Sequence, residues 1–401
     1  EFDEMYEMYE RKTSISKKKI RAQELFMNLL KERAETGRIY IMNIDHCNTH
    51  SSFKDKVYMS NLCQEITLPT TPVQHIDDED GEIALCILSA VNLGLIRDKD
   101  DLEELCDLSV RALDEIIDYQ EYPILAAKQS AQSRRSLGIG YIGLAHYLAK
   151  NHVAYGDKEA LELVDETTEA FQYYLLKASN QLAIEKGQCE YFEKTKYSDG
   201  ILPIDTYKKD IDKIVKRKLS YDWKQLRKDI QEHGLRHSTL SAQMPSESSS
   251  VVSNATNGIE PPRDYLSVKK SKKGTLKQIV PDYYRLKNFY TLLWDMPSNE
   301  GYINVVATMQ KYFDQAISGN WSYNPQNYKD GEVPISVMAN DLLTTYKLGW
   351  KTSYYQNTYD AKTDLDEPAH PVGWHDNQPM KDRNEFESQE DYDDYCEACM
   401  I

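Results

Sequence analysis

Three side chains that could act together on a substrate stand at alternate positions of one short segment, 60–66 (SNLCQEI). They are Asn61, Cys63 and Glu65. In an extended chain successive side chains point to opposite sides, so these three would share one face. A thiol can carry a one-electron hole, a carboxylate can accept a proton, and an amide can hold a hydroxyl group. The pattern alone is more typical of a loop or strand with a polar face, and that alternative stays open.

A second cysteine, Cys86, lies in the mostly apolar run 81–90 (GEIALCILSA). Cysteine in such a run usually behaves as a small buried hydrophobic residue. Taken singly, the position therefore predicts a structural cysteine.

A serine-rich run covers 244–250 (MPSESSS) and is followed by 253–262 (SNATNGIEPP). Serine hydroxyls and backbone N–H groups at the start of a helix can bind a phosphate. The run lacks the Gly-Lys-Ser/Thr ending of a P-loop, so a nucleotide site here would be of another kind. A serine-rich surface loop is the alternative.

Two adjacent tyrosines, Tyr354 and Tyr355, lie in 351–358 (KTSYYQNT). Packing is the default explanation in a chain that has 29 tyrosines. Phenols can also pass an electron and a proton over short steps, which would matter only beside a redox centre.

The C-terminal stretch, from about residue 360, is acidic and polar, yet Cys396 and Cys399 stand in its last six residues (CEACMI). This composition predicts a flexible tail. His370 and His375 could join the two cysteines in a Cys2His2 zinc site. The polar stretch between the two halves of that site offers little to pack, which argues against zinc.

Two other motifs are rejected as functional sites. The glycines of 138–143 (GIGYIG) match a dinucleotide-binding pattern, but the polar segment 129–136 before them is not a strand. His46, Cys47 and His50 could ligate a metal, but they lack a fourth ligand nearby, so a hydrogen-bonded structural role is favoured.

The whole chain has the composition of an ordinary globular protein, with 401 residues, 40% hydrophobic and 28% charged. Its net charge of −17 argues against a primary role in binding nucleic acid. No apolar run reaches the roughly 18 residues of a membrane span. Seven scattered cysteines indicate a reducing cytoplasm. Residue 1 is glutamate and no secretory signal follows, so a truncated protein, a processed piece and half of a split protein all stay open.

Periodic apolar residues predict the elements that position these groups. Helices are expected over 16–36, 101–118 and 158–186, with Gly37 and Gly187 ending the first and the last. Short β-like runs are expected over 38–44 and 83–89. Alternating strands and helices predict an α/β fold.

Taken together and in this order, these segments resemble the large subunit of class Ia ribonucleotide reductases of the enterobacterial and T-even-phage type. Further matches lie at 36–41 (TGRIYI), 45–50 (DHCNTH), 200–207 (GILPIDTY) and 354–358 (YYQNT). The resemblance runs from near residue 1 to about residue 360 and returns at the cysteine tail. It implies the C-terminal half of a ten-stranded α/β barrel: a helical lead-in over 1–40, the catalytic barrel half over 41–360 and a flexible tail over 361–401.

The resemblance also implies a radical reduction of ribonucleoside diphosphates to 2′-deoxyribonucleoside diphosphates. Cys63 would become the thiyl radical, Glu65 the base, and Asn61 the amide that orients substrate hydroxyls. Cys86 would supply reducing electrons and end in a disulfide, and Tyr355 and then Tyr354 would relay the radical. The implied substrate-binding residues are Asn61, Leu62, Cys63, Gln64, Glu65, Pro245, Ser246, Glu247, Ser248 and Ser249.

Several partners follow from the same resemblance. The radical would come from a small subunit with a di-iron centre and a tyrosyl radical, and no metal would bind this chain directly. Cys396 and Cys399 would reduce the active-site disulfide and be renewed by thioredoxin or glutaredoxin, and a tail of about 35 residues spans roughly 30–35 Å. ATP and dNTP effectors would bind outside this chain, on a separate N-terminal half. A non-catalytic fragment that only binds the partner subunits, and a zinc-binding tail protein, are the alternatives.

Overall fold

The computed structural model describes residues 2–76, 78, 80–271 and 274–360. The helices in this part of the chain are α1 Phe2–Arg11, α2 Ala22–Thr36, α3 Ile44–Thr49, α4 Lys99–Tyr119, α5 Leu125–Arg134, α6 Leu144–Lys150, α7 Lys158–Lys186, α8 Pro203–Thr206, α9 Trp223–His233, α10 Glu247–Val252, α11 Tyr283–Leu286, α12 Glu300–Gln310 and α13 Ile335–Leu348. The strands are β1 Ile41–Met42, β2 Ile87–Asn92, β3 Leu137–Ile142, β4 Leu266–Ser271, β5 Gly274–Ile279, β6 Trp321–Tyr323, β7 Thr352–Ser353 and β8 Gln356–Thr358.

Helix α7 covers the predicted range 158–186 from end to end. Its apolar positions recur every three or four residues, and they are buried against α4 and α12. The helix ends where Gly187 takes a φ of 91° and donates its N–H to the carbonyl of Ala183 at 2.8 Å. Glycine adopts this backbone conformation without a steric penalty. The predicted stop is therefore confirmed.

Helix α2 is shorter than predicted. It ends as expected at Gly37, which is left-handed (φ 70°), but it begins at Ala22 and not at residue 16. Residues 17–19 are three successive lysines, and cations are unfavourable at the positive N-terminal end of a helix. Helix α4 exceeds its predicted range slightly, because Asp98 caps it by accepting a hydrogen bond from the N–H of Asp101.

Four segments run side by side in a parallel array that supports the candidate site. Strand β2 pairs in parallel with β3, with Ile87 opposite Leu137. Backbone hydrogen bonds then join β3 to the segment 239–243, and that segment to 315–318. Within the described residues, β2 hydrogen-bonds as a strand only with β3, so its outer edge is open. The strand predicted over 83–89 is displaced toward the C-terminus, and Cys86 directly precedes β2.

The far side of this array meets the segment that carries Cys63 and Glu65. The N–H of Ala316 donates to the carbonyl of Glu65 at 2.9 Å. The array itself packs on aromatic rings, with Tyr141 of β3 lying 5.3 Å from Phe171 of α7 between centroids. A rigid core thus lies directly behind the candidate catalytic segment.

The predicted β-like run over 38–44 is a strand only at Ile41–Met42. The run is cut short because α3 begins at Ile44. The two residues of β1 pair antiparallel with β7, and β6 pairs in parallel with β8. Tyr354 and Tyr355 lie between β7 and β8, so both pairings fix their backbone.

Residues 138–142 of the glycine motif lie in β3, and Gly143 directly precedes α6, so the motif is not a nucleotide-binding turn after a strand. The residues before it form α5, as the rejection of a dinucleotide site requires. A Cβ added at Gly140 would lie 2.7 Å from the carbonyl oxygen of Ala242. Glycine is therefore needed for the close approach of two backbones. No helix among the described residues is long and apolar enough to cross a membrane.

Candidate active site

The segment around Cys63 is a turn, which corrects the extended chain assumed from its alternating polar residues. Gln64 has a left-handed backbone (φ 69°), and its N–H donates to the carbonyl of Asn61 at 3.1 Å. The Asn61 side-chain oxygen accepts from the N–H of Ile66 at 3.1 Å. Alternation along a strand therefore does not bring Asn61, Cys63 and Glu65 together; the turn does.

Glu65 is a buried carboxyl group held by two side chains. It is only 2% exposed, and the hydroxyl of Ser318 donates to its Oε2 at 3.2 Å. Burial raises the pKa of Glu65, and hydrogen bonds from Asn61 and Ser318 oppose that rise. The same hydroxyl also lies within hydrogen-bond distance of the carbonyl of Cys63, so its one proton is shared between the two oxygens. One hydroxyl thus ties the carboxyl group to the backbone of the thiol residue.

Cys63 is 8% exposed and lies under a tyrosine. The phenol of Tyr354 donates to its Sγ at 3.6 Å. Burial, and then the nearby charge of Glu65, raise the pKa of Cys63, which keeps the thiol protonated. A protonated thiol can give its hydrogen atom to an adjacent phenol once that phenol has been oxidised to a phenoxyl radical. A charged nucleophilic thiolate is disfavoured here.

Three tyrosines form a contiguous cluster behind Cys63. The rings of Tyr354 and Tyr355 lie 4.1 Å apart between centroids. Tyr40 contacts both, at 4.8 Å from Tyr354 and 5.4 Å from Tyr355. Burial raises the pKa of Tyr40 and that of Tyr354, so both phenols keep their protons. The cluster leads from the buried Cys63 to the half-buried Tyr355.

The side chain of Cys86 is linked to the segment after the Cys63 turn by the side chain of Gln315. It is half-buried, and the side-chain N–H of Gln315 donates to its Sγ at 3.6 Å. The side-chain oxygen of Gln315 accepts from the N–H of Thr67 at 3.2 Å. Burial raises the pKa of Cys86, and the charge of Glu65 raises it further. The Gln315 side chain therefore contacts both Cys86 and Thr67, the residue that follows the Cys63 turn.

The serine-rich run begins a short helix, α10, as a phosphate-binding loop would require. Ser246 stands directly before that helix and donates its hydroxyl to the carbonyl of Met244 at 3.1 Å. Pro245, Glu247, Ser248 and Ser249 are exposed. The preceding residue pair 242–243 belongs to the parallel array, which places the run at the same end as Ala316 and Ser318.

Comparison with known proteins decides the family. The family described as ribonucleotide reductase, barrel domain, matches residues 1–289 and 283–356. This chain belongs to that family. The resemblance found in the sequence motifs, and the α/β barrel class that it implied, are therefore confirmed.

The relatives with high identity are reductase subunits. The chain is 60% identical over 369 residues to the ribonucleoside-diphosphate reductase subunit alpha of Haemophilus influenzae, which covers 91% of this chain and 49% of the relative. It is 57% identical to the ribonucleoside-diphosphate reductase 1 subunit alpha of Escherichia coli, over 92% of this chain and 49% of the relative. The corresponding subunit of phage T4 is 45% identical over 90% of this chain and 48% of its own length. The chain thus spans about half the length of the curated relatives it matches.

Three side chains of this barrel domain were missed by sequence reasoning. Ser318 contacts the turn, and Gln315 contacts Thr67 directly after it, each from more than two hundred positions away. No local pattern marks either residue. Tyr40 had a weak signal, because it lies in the matched stretch 36–41. Of the residues that were predicted, Leu62 is exposed and Gln64 is half-buried in the turn.

The His46–His50 segment has the hydrogen-bonded role that was favoured over metal binding. The imidazole Nδ1 of His46 lies 3.0 Å from the carbonyl of Trp350. The two ring nitrogens of His50 lie 2.8 Å from the Thr206 hydroxyl and 2.6 Å from the Gln310 carbonyl. In the part of the barrel domain that the structure describes, no group of three His, Cys, Asp or Glu side chains could hold a metal ion.

The predicted redox pair Cys396 and Cys399 lies outside the described residues. So do His370 and His375, the other ligands of the alternative zinc site. Both hypotheses for the tail stay predictions.

Proposed function

We propose that this chain is the catalytic portion of a ribonucleoside-diphosphate reductase, which makes 2′-deoxyribonucleoside diphosphates by radical chemistry. One observation carries the proposal: the Tyr354 phenol contacts the Sγ of Cys63 at 3.6 Å, and Glu65 is buried in the same turn. A hydrogen-atom donor, a redox-capable phenol and a shielded base are the groups that this reaction needs.

Each group has a defined task in the proposed reaction. Tyr354 is first oxidised to a tyrosyl radical by the small subunit's radical, which is relayed through Tyr355. The Tyr354 radical then takes the hydrogen atom of the Cys63 thiol, and the resulting thiyl radical removes the hydrogen atom from the ribose 3′ carbon. Glu65 accepts the proton of the 3′-hydroxyl, as a carboxylate with a raised pKa is suited to do. The 2′-hydroxyl then leaves as water. Cys86 and a second cysteine supply two electrons and two protons and end as a disulfide.

The substrate's diphosphate is proposed to bind the run 245–249. The exposure of Ser248 and Ser249 at the start of α10 supports this assignment. Asn61, Leu62 and Gln64 would contact the nucleoside from the turn. The position of the run at the end of the parallel array supports a single pocket shared with Cys63.

A separate N-terminal half of the large subunit is proposed as the first partner. The open edge of β2 supports it, because an exposed strand edge has unpaired backbone groups. Leu85 and Leu88, beside that edge, are 38% and 42% exposed. ATP and dNTP effectors would bind this half.

The remaining partners are a radical-generating small subunit and a dithiol reductant. The small subunit would hold the di-iron centre and tyrosyl radical and would pass the radical to the half-buried Tyr355. Thioredoxin or glutaredoxin would renew Cys396 and Cys399. The cytoplasm, which is reducing, suits this cycle.

The test is Cys63→Ser in a complex reconstituted with the N-terminal half and the small subunit, with nucleotide reduction as the readout. Cys189→Ser is the matched control, because Cys189 is also buried but contacts none of these groups. We expect Cys63→Ser to abolish reduction and Cys189→Ser to retain it. Reduction by the Cys63→Ser complex would overturn the proposal.

A further inference from the structure

The side chain of Gln315 joins three segments of the site through one amide. It is fully buried at 0% exposure. Its Nε2 donates to Cys86 Sγ at 3.6 Å and to the carbonyl of Leu137 at 2.9 Å. Its Oε1 accepts from the N–H of Thr67 at 3.2 Å. The amide orientation is fixed by these two backbone partners, so an N–H must point at the sulfur.

The sulfur of Cys86 lies among groups that disfavour its negative charge. The carboxylates of Glu65 and Asp314 both raise the pKa of the thiol, and burial raises it most. A Cβ added at Gly138 would lie 2.9 Å from the sulfur and 2.6 Å from Leu88 Cδ2, so the thiol is closely packed on this side. The Gln315 N–H is the neighbour that opposes these effects.

The backbone of Gln315 is held as firmly as its side chain. Its N–H donates to the carbonyl of Ser241 at 3.0 Å, within the parallel array. Its carbonyl accepts from the side-chain amine of Lys351 at 2.8 Å and from the side chain of Gln310 at 2.9 Å. The donor is therefore preorganised before any charge develops on the sulfur.

We propose that Gln315 is a positioning residue that orients the Cys86 sulfur and stabilises its thiolate by hydrogen bonding. Resting on the proposed function, this gives Gln315 a role when the active-site disulfide is reduced. The incoming thiolate of a dithiol reductant bonds to the sulfur of the other cysteine, and the bond to Cys86 breaks. Cys86 leaves with the electron pair as a thiolate, which accepts the Gln315 N–H. A better stabilised leaving thiolate departs faster.

The rival explanation is that Gln315 only holds the fold together. Gln243 provides the matched control, because it is also buried and its amide also makes three hydrogen bonds. Those bonds join it to the backbone of Tyr141, at 3.0 and 2.9 Å, and to Met244 at 3.2 Å, and none reaches a sulfur. Loss of either glutamine removes a similar structural contribution.

The experiment measures the alkylation rate of Cys86 by iodoacetamide in the full chain, as a function of pH, by mass spectrometry of the peptide that contains it. Gln315→Met removes the donor and keeps the volume. Gln315→Glu keeps the shape but, when ionised, cannot donate. At each pH below the thiol pKa we expect both variants to react about four- to fifteenfold more slowly. Loss of a hydrogen bond to the charged sulfur lowers the thiolate fraction, and the greater nucleophilicity of a more basic thiolate offsets part of that loss. Gln243→Met should match the wild type.

The proposal is overturned if Gln315→Met and Gln315→Glu react like the wild type, or if Gln243→Met slows Cys86 equally. It is also overturned if Gln315→Glu alone reacts normally, because shape and not donation would then matter. Circular dichroism of each variant confirms a folded chain. Alkylation needs no reductase activity, so a failure of the proposed function would appear in the Cys63→Ser test and leave this measurement unaffected.

Discussion

The phenol oxygen of Tyr354 lies 3.6 Å from the sulfur of Cys63, and this contact joins the last strands of the described chain to a turn almost three hundred residues earlier. Tyr354 itself is 5% exposed, so solvent does not compete for the contact. Behind it, Tyr355 and Tyr40 continue the cluster of rings. The Cys63 sulfur therefore contacts, with little access for solvent, a cluster of three tyrosine phenols that can be oxidised.

Tyr354→Phe tests that connection. Phenylalanine keeps the ring contacts but has no O–H to exchange with the thiol. We expect nucleotide reduction by the reconstituted complex to fall at least about a hundredfold, which corresponds to roughly 2.7 kcal/mol of activation free energy. Tyr207→Phe, which removes a hydroxyl bonded to Asp212 at 3.0 Å, should leave reduction near the wild-type rate. Undiminished reduction by Tyr354→Phe would contradict the proposed route.

The Ser318→Ala variant tests whether Ser318 lowers the pKa of Glu65, the proposed base. The Ser318 hydroxyl donates to the Glu65 carboxylate and so opposes the rise of its pKa. Its loss should raise the pKa of Glu65 further, and the base must be ionised to accept a proton. The acid limb of the pH–rate profile should therefore move to higher pH by about one to two units, the size of one hydrogen bond to a charged group. Ser238→Ala, at another buried serine, should not move it. An acid limb that stays in place or moves to lower pH would refute this role of Ser318.

Much of the fold could be predicted because its signals are local. The range of α7 and the stops at Gly37 and Gly187 follow from apolar spacing and from the backbone freedom of glycine. Strand positions were less accurate: β2 is displaced, and only two residues of the run 38–44 form a strand. These strands are short, and their pairing is decided by distant segments, which leave no mark on the local sequence.

The candidate site was predictable in its residue types and not in its geometry. Cys63, Glu65 and Cys86 were identified from motifs and a family resemblance. The left-handed Gln64 was not, because a non-glycine residue with positive φ has no reliable sequence signal. Ser318 and Gln315 were missed for a different reason, since long-range hydrogen bonds depend on the completed array.

His237 predicts a pH dependence of stability. Burial lowers its pKa to about 4, and it faces Asp114 at 3.2 Å, Ser179 at 2.9 Å, and the guanidinium groups of Arg135 and Arg236. Between pH 6.5 and 4 the unfolded chain binds a proton here that the native chain does not. The free energy of unfolding should therefore fall with falling pH by up to about 1.4 kcal/mol per pH unit from this group.

The measurement is urea unfolding of wild type and His237→Gln across pH 4–8. The variant should be less stable at pH 8, yet lose stability less steeply below pH 6.5. His233→Gln, at a half-exposed position at the end of α9, should keep the wild-type slope. Equal slopes for wild type and His237→Gln would count against a neutral buried imidazole.

Lys351 predicts a destabilisation that grows with pH. The amine is fully buried and donates to the carbonyls of Asp314 and Gln315 at 2.8 Å each, and of Phe313 at 3.4 Å. Burial lowers its pKa to about 7, and a neutral amine still has two donors for the two short contacts. Lys351→Met fills the space but leaves the Asp314 carbonyl unpaired, while the carbonyls of Phe313 and Gln315 keep the Gln310 side chain as a donor. The loss should cost about 1–3 kcal/mol of unfolding free energy.

The pH sign follows from proton binding. Between about pH 7 and 10 the unfolded chain keeps the Lys351 proton while the native chain releases it, so the wild type gains stability relative to Lys351→Met as pH rises. Urea unfolding at pH 7 and pH 9 should therefore show a larger difference at pH 9. Lys347→Met, at an exposed position of α13, should be within about 0.5 kcal/mol of wild type at both. If Lys351→Met is as stable as the wild type, or if its loss of unfolding free energy is smaller at pH 9 than at pH 7, the buried Lys351 amine does not stabilise the segment that carries Gln315.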